Sequence, residues 1–198
     1  MSRRRLTADE SGATIVEFAI ILVPMLIIIL GFMELGYQSY VRSVLQGTLN
    51  DVARTATVET PKLGDDALPL ETRIENHVKE RMHPLVAAGT YDFQIDNYQD
   101  FSGVGQPEAL VTDVNKNGKY DQGDCWEDTN PNGTFDTDGA RDGVGGADDV
   151  VVYDITLSAP HLLPIGGFLG VPDNFNARAR TMSKRQPFAQ QSEPEVAC

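Results

Sequence analysis

Residues 13–33, ATIVEFAIILVPMLIIILGFM, restrict this chain more than any other stretch, because 21 residues carry a single charge, Glu17. At about 1.5 Å per residue the run reaches roughly 30 Å, enough to cross the hydrocarbon core of a bilayer. Arg3, Arg4 and Arg5 precede it, and the positive-inside rule then keeps residues 1–12 in the cytoplasm and places the remainder outside. A cleaved secretory signal peptide shows the same order of basic and apolar segments. Against it, the run is long, and ELGYQSYV after it offers no small-x-small cleavage site. Pro24 inside a lipid-facing helix predicts a kink rather than a break.

The helical period does not stop at the membrane. Val41, Val44, Leu45, Thr48, Leu49, Val52, Ala53 and Ala56 recur at three- and four-residue steps, with Gln38, Arg42, Gln46, Asn50 and Arg54 between them. One helix from about residue 14 to 58, about 70 Å long, accounts for both halves. Its outer half must pack on something.

Charge is distributed unevenly. The net formal charge is −13, and residues 92–154 hold 15 Asp or Glu against Lys116, Lys119 and Arg141, a local balance of −12. A nucleic-acid partner is excluded for that segment.

Glu17 is costly inside a membrane helix, and its neighbours suggest a use for it. In SGATIVEF, Gly12 precedes Ala13, and Glu17 is the fifth residue after that glycine. This resembles the processing site of type IV prepilin-like proteins, cut on the cytoplasmic side between the glycine and the next residue. Residues 9–58 as a whole resemble the TadE family, minor pseudopilins of the Flp (tight adherence) pilus system. Major pilins of that system carry Glu-Tyr at the matching pair, whereas Phe18 follows Glu17 here, a departure that fits a pseudopilin. The resemblance implies a prepilin peptidase that cuts after Gly12 and frees the amine of Ala13. It also implies an inner-membrane location, other pilus assembly proteins and pseudopilins as partners, and pairing of Glu17 with the amine of an adjacent subunit, which offsets part of the desolvation of both.

Beyond a break at Gly64 to Asp66, Pro69 opens a second helix to about Met82, with Leu70, Ile74, Val78 and Met82 on one face and Pro84 closing it. His77 and His83 lack further ligands nearby and read as solvated or core-edge residues. YDFQIDNY, DVVVYDITLSA and NFNARARTMSK alternate as strands, the last two joined by the apolar PHLLPIGGFLGVP. The expected fold class is therefore α+β and pilin-like. A long N-terminal transmembrane and amphipathic helix packs on a small antiparallel sheet, with a calcium-loop segment inserted.

That insertion carries the second chemical signal. DVNKNGKYDQGD follows the calcium-loop pattern, with Asp113, Asn115 and Asn117 at positions 1, 3 and 5, Gly118 at 6 and Lys119 offering its carbonyl at 7. Asp121 takes position 9 and Asp124 position 12. Alternate oxygens let a short backbone wrap one hard cation, and the glycine permits the turn. The pattern recurs 15 residues later as Asp128, Asn130, Asn132, Gly133, Thr134 and Asp136. There position 12 is Gly139, so Asp138 or a carboxylate from ARDGVGGADD is expected to close the second site. The flanks are not paired helices, and the repeat resembles the tandem Ca²⁺ loops of dockerin or thrombospondin type 3 modules. The plainer reading is a cluster of solvated Asx-Gly turns.

Cys125 and Cys198 can bridge to each other in an oxidising compartment, and Cys198 can equally bridge to another subunit. No nucleophile elbow, zinc-protease motif or phosphate loop occurs, so the chain is not expected to be an enzyme. The expected divisions are a cytoplasmic leader at 1–12, the transmembrane helix at 13–33, a helical and strand region at 34–110, acidic calcium loops at 111–149 and C-terminal strands and tail at 150–198. Two functions fit them. One is a TadE-like pseudopilin that supports pilus assembly and surface adhesion, and the other is an uncleaved membrane-anchored adhesin or binding module stabilised by calcium.

Overall fold

The computed structural model describes residues 11–163, 170 and 172–198, with side chains from Thr14 onward. Residues 1–10, which carry the three arginines of the expected leader at 1–12, and most of the apolar segment between the last two long strands lie outside the described residues.

Helix α1 spans Ser11–Thr55 without interruption at Pro24. It divides at Glu34. From Thr14 to Met33 no side chain is buried, and Glu34 is the first that is. The buried stripe then continues through Val41, Leu45, Leu49, Val52, Ala53 and Ala56, the positions one face of a helix presents at its 3.6-residue period. The helix ends three residues short of the expected 58, at the β-branched run Thr55, Thr57 and Val58, where restricted χ1 rotamers disfavour continuation. Helix α2, Leu70–Met82, follows Pro69 and buries Ile74, Val78 and Met82 as expected.

The main sheet is antiparallel, with β1 (Thr90–Tyr98), β4 (Arg141–Asp142), β5 (Val150–Pro160) and β6 (Asn174–Lys184) in the order β4-β1-β5-β6. Strand β5 is central, with Tyr153 opposite both Ile95 and Thr181. It is consequently buried on both faces along most of its length rather than alternating. Strand β6 alternates, turning Phe175, Ala177 and Ala179 into the core shared with α1. Side chains bind the two elements as well: Arg42 donates to the Asn176 carbonyl at 3.3 Å and Gln46 to that of Arg180 at 3.1 Å. Further along, Ser183 donates to the Ala53 carbonyl at 3.3 Å, and the Gln186 N–H to that of Thr57 at 2.8 Å. Strand β6 therefore runs in the same direction as α1.

A second sheet was not evident in the sequence. It joins β2 (Leu110–Thr112), β3 (Cys125–Asp128) and β7 (Glu195–Ala197) in the order β2-β3-β7. Segments of three or four residues are too short to display a period. A disulfide between Cys125 and Cys198, separated by 73 residues, ties β7 beside β3. Closing a loop of that size is worth about 4 kcal/mol by restricting the unfolded chain.

Leu49→Ala should lower the stability of the detergent-solubilised protein by about 2–5 kcal/mol, since it opens a cavity where the side chain is fully buried. Ile20→Ala, at a 69 % exposed position of the same helix, should leave the urea midpoint of the head unchanged when followed by fluorescence of the single Trp.

Candidate functional site

Two regions hold the residues singled out in the sequence. In α1, Gly12 and Ala13 lie within the first helical turn, and Glu17 is exposed among Ile15, Val16, Phe18 and Ile20. Among the described residues Glu17 has no ion-pair partner. The helix is long and apolar enough to cross a membrane.

Just beyond the span, Glu34 is 8 % exposed and accepts from Gln38 at 3.0 Å and from the Leu163 N–H at 3.2 Å. Its other partner is the His161 ring, whose Nδ1 lies 2.8 Å away. Burial alone raises the carboxyl pKa, but these hydrogen bonds and the histidine together outweigh it and hold Glu34 below the ordinary carboxylate value. The cluster fastens the residues just after β5 to α1 where its bare apolar stretch ends.

The acidic repeats form two loops of one design. Gly118 and Gly133, both at position 6, adopt φ of 73° and 74°, the left-handed conformation that glycine takes without strain. In the first loop, the Asp113 carboxylate accepts from the N–H groups of Lys116 at 2.6 Å and Gly118 at 2.7 Å. In the second, Asp128 accepts from those of Asn132 at 3.1 Å and Gly133 at 2.7 Å. The amides of Asn115 and Asn117 both donate to Asp121 Oδ2 at 2.7 Å. Those of Asn130 and Asn132 converge on Asp136 Oδ2 at 2.7 and 2.6 Å. The two donations hold the Asp121 carboxyl below its ordinary pKa, that from Asn115 first.

Lys119 and Thr134 occupy the matching seventh position. Each donates its N–H to the asparagine two residues before it, at 2.7 Å. The loops also touch at one shared offset: Tyr120 and Phe135, both at position 8, stack with centroids 4.3 Å apart and planes 5° from parallel, and Trp126 packs edge-on to both. Aromatics at one offset in both repeats were a signal available in the sequence.

The carboxylates around the two loops make different contacts. Asp124, 1 % exposed, closes the first by accepting from the N–H groups of Val114 and Asp121. Asp138 does not do the same for the second, because it is exposed and accepts instead from the Tyr98 hydroxyl at 3.3 Å. Burial and that carboxylate push the Tyr98 phenol up to about 12. Nor do the later carboxylates: Asp148 pairs with Lys184 at 2.9 Å and Asp149 with Arg141 at 3.1 Å. Glu108, from before the repeats, accepts from the second loop instead, through the Thr129 and Asp136 N–H groups. It lies outside either repeat window, so no spacing rule could select it.

Among the described residues no three His, Cys, Asp or Glu side chains converge on one point as a metal-binding group. Oxygens available to a cation in these loops belong to a mixture of carboxylates, amides and main-chain carbonyls.

Residues 12–54 match the family model for TadE-like proteins. The match is confined to α1 and covers both its bare apolar stretch and its packed outer half. No curated protein and no solved structure matches the chain. The TadE-like family suggests a component of a Tad pilus system, and it is a family of structural components rather than a known enzyme family. A single N-terminal apolar helix is compatible with a single-pass membrane anchor in such a system.

Because the folded-state pKa of Glu34 is depressed, its contribution to stability is complete above the ordinary value of 4.5 and is lost as pH falls through the lowered one. Glu34→Gln should therefore show a shallower loss of stability below that pH, read from urea midpoints across an acid series.

Proposed function

We propose that this chain is a TadE-like pseudopilin, a structural subunit that supports assembly of a Tad pilus and through it attachment to surfaces. The observation that carries the proposal is the agreement between the matched stretch, residues 12–54, and the physical division of α1 at Glu34. A helix bare on every face for its first half suits lipid before assembly and neighbouring apolar helices after it. In this reading a prepilin peptidase cuts after Gly12, the new amine belongs to Ala13, and Glu17 pairs with the amine of an adjacent subunit. The chain sits in the inner membrane with its head outside.

Calcium belongs to the same proposal. The two DxNxNG loops are supported as Ca²⁺ sites by their identical offsets, their left-handed glycines and the stacking of Tyr120 on Phe135. Extracellular calcium is abundant enough to fill sites of modest affinity.

Co-expression with the cognate prepilin peptidase should give a mature N-terminus at Ala13, and Gly12→Leu should block it. Glu17→Leu should leave insertion intact, because it makes the span more apolar, while reducing piliation. A piliated strain whose protein still begins at Met1, or in which Glu17→Leu has no effect on pili, would instead indicate the uncleaved, anchored binding module.

The calcium part has its own measurement. Melting temperature should rise with Ca²⁺ concentration, by mass action on the folded form, with a stabilisation of about 2.7 kcal/mol at one hundred times the dissociation constant. Asp113→Ala and Asp128→Ala should each reduce that response, and the double variant should nearly remove it. A melting curve indifferent to millimolar calcium and to chelator would return the loops to solvated turns.

A further inference from the structure

We infer that the cavity past the end of α1, lined by Arg73 and Arg185, is a binding site for a carboxylate group. The inference goes beyond the function proposed above and needs neither metal in the acidic loops nor processing of the leader.

Three connections of the fold build the cavity. Its walls are the segment that follows α1, the first turn of α2 with Leu70 and Arg73, and the flanks of the sheet at Val144 and Arg185. They leave a cleft of about 600 Å³. Hydrogen bonds hold the walls together. The Gln186 N–H donates to the Thr57 carbonyl at 2.8 Å, the Arg185 N–H to that of Asp149 at 2.9 Å, and the Val144 N–H to Glu71 Oε1 at 3.2 Å.

Arg73 and Arg185 are 9 % and 7 % exposed, and their partners differ. Arg73 Nε donates to the Leu63 carbonyl at 2.7 Å, and its Nη2 to the Pro61 carbonyl and the Asp66 carboxylate. Arg185 has no such carboxylate. Its Nη1 donates to the carbonyls of Val144 at 3.3 Å and Gly145 at 2.8 Å, and the Phe188 ring covers the guanidinium with its centroid 5.1 Å away. Its Nε is buried without an acceptor, and it forms no ion pair with a described residue. A guanidinium cannot escape burial by giving up its proton. Its desolvation therefore calls for an anion.

The charge of the lining selects the kind of anion. Lys62 joins the two arginines, against Glu59 and Asp66. Both carboxylates are exposed, and Asp66 is already paired with Arg73. One positive charge remains, in a chain whose net charge is −13. Helix α2 has no side-chain cap at Pro69, so its positive end adds to the potential beside Leu70. A monoanion balances this surplus, whereas a dianion would meet repulsion from Glu59 and Asp66. The planar fork of a guanidinium matches a carboxylate. The cavity lies past Thr55, roughly 30 Å along α1 from Met33, too far for a lipid headgroup beside the bare stretch. A free carboxylate or an acidic side chain of a second copy of this chain can supply the group, since residues 92–154 carry a balance of −12.

The test titrates the full-length protein, labelled with ¹⁵N-arginine and held in detergent, with N-acetylglutamate α-amide, whose single charge is a side-chain carboxylate. The Nε–H signals of Arg185 and Arg73 should shift saturably at millimolar concentration, the neutral N-acetylglutamine amide should leave them in place, and inorganic phosphate should bind less tightly. Followed through the Arg73 signal, Arg185→Lys should weaken binding about tenfold or more, because the charge stays and the fork is lost. Lys62→Gln, at an exposed position, should weaken it about two- to fivefold and serves where Arg185→Lys fails to fold. Sedimentation velocity then identifies the source. Self-association that the blocked glutamate reverses and Arg185→Lys weakens assigns the carboxylate to a second copy, while self-association that is absent or indifferent to the blocked glutamate assigns it to a free carboxylate. Signals that ignore the blocked glutamate, respond equally to the neutral amide, or report tighter binding of phosphate overturn the inference. Unchanged affinity in Arg185→Lys, or in Lys62→Gln where that is the folded variant, overturns it as well.

Discussion

The packing of α1 against β6 is the contact on which the rest of the molecule depends. Val41, Leu45, Leu49 and Ala53 share a core with Phe175, Ala177 and Ala179, and the alanines keep the strand low enough for the helix to lie across it. Because this face begins only after Glu34, one helix has two parts: a bare apolar stretch along residues 14–33, and a half packed on a sheet along the remainder. The hydrogen bonds from Arg42, Gln46 and Ser183 fix the direction of the strand along the helix. They thereby decide which end of the head faces the span.

That orientation places the chemistry. His161 and Leu163, directly after β5, meet Glu34 at the end nearest the bare apolar stretch. The start of β5 and the end of β1, paired through Val150 and Tyr98, lie at the other end, and the acidic loops emerge there. Most of the net charge of the chain is thus held at the end of the sheet away from the bare apolar stretch of α1. An anionic bilayer surface would repel it over roughly a Debye length, about 8–10 Å at ordinary salt.

Much of this was legible in the sequence, for a physical reason that also explains what was not. The apolar run is legible from its length alone, while the buried stripe of α1, α2 and the strands β1 and β6 repeat a period over nine or more residues; the structure places all of these elements and β5 where they were expected, although α1 stops one turn early and β5 is buried on both faces instead of alternating. Short strands β2, β3 and β7 carry no period. The Glu34–His161 contact joins residues 127 apart, and Glu108 reaches the second loop across 21 residues to Thr129 and 28 to Asp136. Contacts of this kind depend on topology, which local spacing does not encode. Cys125 and Cys198 stood between the two cases, since the residues were visible and their partner was settled only by the pairing of β3 with β7.

The acidic segment illustrates how a stretch with little apolar content can still hold a shape. A loop rich in Asp, Asn and Gly cannot offset its own chain entropy by burial alone. Here the burden falls on a few anchors: Trp126 under the stacked Tyr120 and Phe135, the disulfide beside them, and the buried carboxylates of Asp124 and Glu108 that gather main-chain N–H groups. Each anchor serves both loops or joins one of them to the sheet, so neither loop can shift without moving rings and strands that the other uses. The repeat is therefore one paired structure, in which Asp124 from inside the first loop and Glu108 from before both loops accept the matching main-chain N–H groups.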